Sequence, residues 1–177
     1  MTRFALVLLV LLISSCSSVP LRTMLELSSF DKDDFANIHP KDLRAKIQID
    51  EPLRADITKA ELALELETAQ GLQVFNFPLV LLEELKIAPV SGLFSSSAGK
   101  TEYTLKLSDI AMQNFVATQQ TMRSELAGNM SFSVKTSVDN IPREITEIRL
   151  SIFLKLSEEK GFMTLFDDAK LAVTHEG

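Results

Sequence analysis

Leu43, Ala45, Ile47 and Ile49 alternate with Arg44, Lys46, Gln48 and Asp50. A period of two predicts a strand with one face buried and the other in water. The pattern returns as Ala60, Leu62, Leu64 and Leu66 set against Glu61, Ala63, Glu65 and Glu67. If these two strands are neighbours, Arg44 and Lys46 face Glu61, Glu65 or Glu67, and such cross-strand pairs contribute about 0.2–1 kcal/mol each. Glu51-Pro52 ends the first strand and Ala69-Gln70-Gly71 turns the chain after the second. Leu72 to Leu82 is apolar except for Gln73 and Asn76, with Pro78 inside it. Proline cannot donate to a ladder, so the segment reads as an edge strand or one broken at a bulge. From Leu79 through Val80 and Leu81 to Leu82 the alternation is lost. Either both faces are buried there, the expected case, or one face meets a partner or lipid.

The period changes after Leu107. Thr101 to Leu107 is strand-like, with Tyr103, Leu105 and Leu107 inward. Ser108 or Asp109 then caps a long helix, Ser108 to Leu126, with Met112, Phe115, Val116, Gln119 and Met122 on one stripe. Gly128 is the expected stop. A stripe of methionine and phenylalanine is read as core packing. Beyond it Met130, Phe132, Val134 and Val138 alternate with polar residues, and so do Ile148, Leu150, Ile152, Leu154 and Leu156, with Phe153 breaking the polar face. Asp139-Asn140-Ile141-Pro142 and Glu158-Glu159-Lys160-Gly161 read as turns, and Phe162 to Val173 pairs back, interrupted at Asp167-Asp168. Ala88 to Lys100, rich in glycine and serine, reads as a flexible loop whose tip, Leu93-Phe94, meets membrane or partner or folds back on the core.

Before the first clear strand, Thr23 to Phe30 reads as a strand with Leu25 and Leu27 on one face. Asp31, Asp33 and Asp34 invite a calcium loop, but the third ligand position is Phe35 and the turn-glycine position is Ala36. The better reading is an aspartate cap on one helical turn that buries Phe35 and Ile38.

The start of the chain follows different rules. Arg3 precedes an unbroken apolar run, Phe4 to Ile13. Ten residues are too few for a permanent span of a core roughly 30 Å thick, which takes about 20. A basic start, a short apolar middle and small residues make a secretory signal. The run ends Ile13-Ser14-Ser15-Cys16, which resembles the lipobox of bacterial lipoproteins. That resemblance implies a diacylglycerol thioether on Cys16, cleavage between Ser15 and Cys16, and often a third acyl chain on the new amine. Cys16 is the only cysteine, so it has no disulfide partner. Residues 1–15 are then signal, 16–22 anchor and short tether, and 23–177 one periplasmic domain. Ser17 in place of aspartate implies the outer membrane over the inner one under the enterobacterial sorting rule.

Composition narrows the partners. The net charge is −6, and −7 once Arg3 leaves with the signal. An acidic surface disfavours nucleic acid and a polybasic grip on lipid. With no tryptophan and one tyrosine, Tyr103, a sugar-stacking platform is disfavoured as well. His39 and His175 have no second ligand at metal spacing, and the nucleophile-elbow and phosphate-loop patterns are absent. Glu61, Glu65 and Glu67, then Glu83-Glu84 and Asp167-Asp168, are read as solvated faces, although paired acids also occur in glycosidases. No cofactor or metal is expected.

The expected fold is α+β or mostly β: an antiparallel sheet of six to eight strands with one long helix packed on or beside it. The expected role is that of a non-catalytic, membrane-tethered accessory subunit of an envelope transport or outer-membrane assembly system. The alternative is a carrier of an apolar, lipid-like ligand, with Leu79, Leu81, Leu82, Leu93, Phe94 and Phe115 as the apolar contacts.

Overall fold

A computed structural model describes residues 20, 23, 30–91, 96–122 and 126–173. Seven antiparallel strands form one sheet that nearly closes on itself, with a helix packed against it. The strands are β1 (Arg44–Asp50), β2 (Ala55–Thr68), β3 (Gly71–Ile87), β6 (Lys100–Leu107), β7 (Leu126–Val138), β8 (Glu147–Lys155) and β9 (Met163–Ala172). Their order is β7-β2-β3-β6-β1-β8-β9. Two-residue strands β4 (Val90–Ser91) and β5 (Ser96–Ser97) form a separate hairpin where a loop was expected. The helices are α1 (Lys32–Ala36) and α2 (Asp109–Met122).

The alternating residues land as their period dictates. Leu43, Ala45, Ile47 and Ile49 are buried, as are Ala60, Leu62, Leu64 and Leu66, within one core. Asp31 caps α1: its carboxylate accepts from the amides of Asp33 and Asp34, and the Asp34 carboxylate accepts from the Asp31 amide. Phe35 and Ile38 are buried below. Ser108 caps α2, its hydroxyl accepting from the Ala111 amide at 3.2 Å. Phe115 then packs on Phe77 and Phe35, with ring centroids 5.0 and 5.6 Å away. The Gln119 side-chain amide donates to the carbonyls of Phe35 and Ile38, tying α2 to the end of α1.

Several expectations are corrected. β1 and β2 are not paired: β1 lies between β6 and β8, and β2 between β3 and β7. Lys46 therefore meets Glu102 of β6 at 2.7 Å, not an acid of β2. Gly128 does not stop the helix, because residues 126–128 already belong to β7, whose ladder reaches back to Thr68. Strand pairing outweighs local helix preference there. Val116 is exposed, and the buried stripe of α2 runs through Ala111, Phe115, Thr118 and Gln119. Of the strand expected over Thr23 to Phe30, only its two ends are described; Thr23 is helical and Phe30 lies outside any strand.

β3 is not broken at its proline; the bulge expected in this segment falls at Leu82, and from Leu79 onward only one side of the strand is paired among the described residues. Its first half, Gly71 to Pro78, pairs with β2, and its second, Leu79 to Ile87, pairs with β6. Pro78 marks the handover. The missing donor falls where pairing passes from β2 to β6, and the Pro78 carbonyl accepts from the Ser108 amide at 3.1 Å. Asp167 and Asp168 form a bulge in β9, where two residues oppose Ser151 alone. The Ser151 hydroxyl accepts from the Asp168 amide at 3.0 Å, and Asp168 takes a left-handed φ of 46°.

Candidate functional site

The buried-on-both-faces expectation for Leu79 to Leu82 fails after its first residue. Leu79 is 4% exposed, whereas Val80, Leu81 and Leu82 are 39, 45 and 52% exposed. Leu85 and Val90 are exposed as well. Farther back on β3, Leu72 and Val74 also face solvent. An unbroken apolar run has the same composition whether its second face meets core or water, so periodicity alone could not separate the two cases.

Two bulges explain the exposure. If the register that sets Glu61 against Pro78 continued, residues 55–60 of β2 would lie against residues 84–79 of β3. They do not pair. Between Asp56 and Glu61 the β2 chain bulges against β7, with four residues, 57–60, opposite one. Between Leu81 and Glu83 the β3 chain bulges against β6, and Leu82 is the extra residue. The strands part between these bulges. Leu81 shares a face with Leu105, which is fully buried, yet Leu81 meets solvent through the gap. Val80, Glu83 and Leu85 share the outer face with Lys106, Thr104 and Glu102.

Asp56 pins the β2 bulge. Its carboxylate accepts from the Thr58 amide at 3.1 Å and the Thr58 hydroxyl at 2.6 Å. Lys59 reaches the same carboxylate at 2.9 Å and Asp139 at 3.1 Å. The Thr58 hydroxyl, then Lys59, holds the Asp56 carboxyl down at about 2. The Thr136 hydroxyl donates to the Asp56 carbonyl from the other side at 2.9 Å. Asp-x-Thr in a strand is a local turn signal, and it was the clue to this bulge that the alternation masked. At the far end of the gap Arg54 meets Glu84 at 3.5 Å and Lys86 meets Glu51 at 3.8 Å. A shallow cleft of about 270 Å³ lies beside these residues.

The other candidates are not brought together. Leu79 and Phe115 are inside the core, Leu81 and Leu82 are at the gap, and Leu93, Phe94 and Cys16 lie outside the described residues. Glu83 and Glu84 point to opposite faces. Asp168 is held by Lys100 at 3.9 Å and Arg149 at 3.6 Å, while Asp167 faces Ser151. Glu61, Glu65 and Glu67 do share the outer face of β2, opposite Pro78, Val74 and Leu72. Glu102 is mostly buried on the outer face of β6. Burial pushes its carboxyl up, but hydrogen bonds from Lys46 and Gln48, both at 2.7 Å, outweigh that and hold it below its ordinary value. Lys46 and Lys155 also lie over the Phe162 ring, at 5.0 and 5.7 Å from its centroid. These contacts join β6, β1 and β8 and are structural in kind.

Among the described residues, no group of three or more His, Cys, Asp or Glu is placed to hold a metal. Among them, no helix is long and apolar enough to cross a membrane. Comparison with protein-family models, with curated proteins and with solved structures found no match.

Proposed function

We propose that this chain is a lipid-anchored envelope protein whose domain works by holding another protein, as an accessory subunit of an envelope transport or outer-membrane assembly system. The observation that carries the holding role is the gap between β2 and β3, which leaves Leu81 and Leu82 in solvent beside Val80 and Leu85 exposed on the outer face. Contiguous exposed apolar side chains are costly in water and mark interaction sites. The anchor rests on Ile13-Ser14-Ser15-Cys16 and the signal-like run before it. Thr23 already belongs to the folded body: it is buried, and its hydroxyl donates to the Thr164 carbonyl at 2.6 Å. The seven residues from Cys16 to Thr23 (23 minus 16) reach at most about 25 Å. An acyl group on Cys16 would thus keep the domain against the bilayer, beside whatever machine it serves.

The second reading, a carrier of an apolar ligand, draws on Leu81, which faces inward and is still wet. Against it, Leu79 and Phe115 are already packed. Native mass spectrometry of the purified chain decides it: a co-purifying lipid supports the carrier, and its absence removes it.

Metabolic labelling with palmitate tests the anchor. Label is expected on the wild-type chain and lost in Cys16→Ala; an unlabelled wild type found in the soluble extract overturns it. Crosslinking in whole envelopes tests the accessory role, and the absence of any stable protein adduct overturns that role.

A further inference from the structure

We propose that the open edge of β3, from Val80 to Leu85, takes an extended segment of another protein as an added strand, apolar at alternate positions and basic between them. This deepens the accessory reading and rests on its claim that the domain holds a protein, but not on the anchor.

Three observations converge on the edge. The first is backbone chemistry. From Leu79 to Ile87, β3 has β6 on one side, and among the described residues no strand pairs with the other. Amides and carbonyls in such a row seek partners, and an unpaired edge is a template for strand addition. The second is side-chain chemistry. Native edges are commonly blunted by bulges and charges, as here by the bulge at Leu82 and by Glu83, Glu84 and Lys86, yet Val80, Leu81 and Leu82 stay exposed along this one. An incoming strand would cover these residues and close the gap above Leu81.

The third is charge. Three cations around the gap are engaged, Lys59 by Asp56 and Asp139, Arg54 by Glu84 and Lys86 by Glu51, while Lys135 of β7 stands opposite Glu61 without an ion pair among the described residues. Glu61, where pairing with β3 begins, and Glu83, just past the β3 bulge, have no ion-pair or hydrogen-bond partner among the described residues. Lys106 stands on the β6 side, away from the gap. Glu83, opposite Thr104, is therefore an uncompensated carboxylate beside the exposed apolar residues of an acidic protein, and Glu61 at the other end has only the cross-strand Lys135 near it. Anionic lipid is repelled by that arrangement. A second copy is disfavoured too, because a two-fold contact centred between Glu61 and Glu83 turns the Glu83 of each copy toward the Glu61 of the other. Lysine or arginine on an incoming strand matches it.

The test is a titration of the full processed chain, ¹⁵N-labelled, with a short synthetic peptide of alternating valine and lysine. Amide resonances of Val80 to Leu85 are expected to shift, and their exchange with solvent to slow. A peptide with glutamate in place of lysine is expected to bind more weakly. Changing Glu61→Gln and Glu83→Gln together should weaken the lysine peptide about threefold to tenfold, since exposed ion pairs are individually modest. It should leave the thermal midpoint where it was. Equal binding of a backbone N-methylated peptide would overturn strand addition, as would shifts confined to other strands. Dimerisation through Val80 to Leu85, or protection of these amides by anionic vesicles alone, would overturn it in favour of a second copy or a membrane. Protein adducts in envelopes from a photoreactive group at Lys170, with none from Leu82, would remove this proposal and leave the accessory role standing.

Discussion

The amide of Ser108 donates to the carbonyl of Pro78 across 3.1 Å, fastening the entry of α2 to the point where β3 changes neighbours. One serine thereby serves two structures, since its hydroxyl also caps the helix. Replacing it, Ser108→Ala, keeps the backbone bond and removes the cap. A loss of about 0.5–2 kcal/mol is expected, read from urea unfolding, with an unchanged dependence on denaturant.

Adjacent leucines on β3 should respond in opposite ways. Leu79 is in the core, and Leu79→Ala is expected to cost about 2–5 kcal/mol. Leu82 is half in solvent at a bulge, and Leu82→Ser is expected to stay within about 0.5 kcal/mol of wild type. Thermal melts of the two variants check this. A large loss for Leu82→Ser would mean that Leu82 is covered within the native chain.

The pH dependence of stability should carry the mark of Glu102. Its folded carboxyl titrates below the ordinary 4.5, so folding favours the ionised form. The contribution is complete above about 4.5 and drains away as pH falls through the lower folded value. Wild type is expected to exceed Glu102→Gln by about 1 kcal/mol near neutrality, the scale of a charged hydrogen bond discounted for partial exposure. The two melting curves should converge in acid. A constant gap across the range would mean that the acid contributes through packing and not through its charge.

Much of the sheet was legible because one buried face forces a period of two, as in Leu43 to Ile49 and Ala60 to Leu66. The Asp31 cap was legible for a similar reason: short polar side chains have few local partners other than free amides. Neighbour choice was not. Lys46 finds Glu102 56 residues away because β6 inserts beside β1, and nothing local to either strand encodes that. The candidate site was half legible. The loss of alternation at Leu79 to Leu82 drew attention to the right place, but the expected burial was wrong for Val80, Leu81 and Leu82. The deciding feature is a bulge in another strand, pinned by Asp56, and tertiary geometry of that kind leaves only the Asp-x-Thr trace in the sequence.

β3 is the strand shared by both halves of the sheet. Its early residues complete the sheet with β2 and β7, and its later residues complete the sheet with β6, β1, β8 and β9. A protease nick inside it would dismantle both at once, so neither group of strands survives as a stable fragment. Calorimetry would then record a single melting event, and truncation from either end that reaches this strand would yield no smaller folded piece.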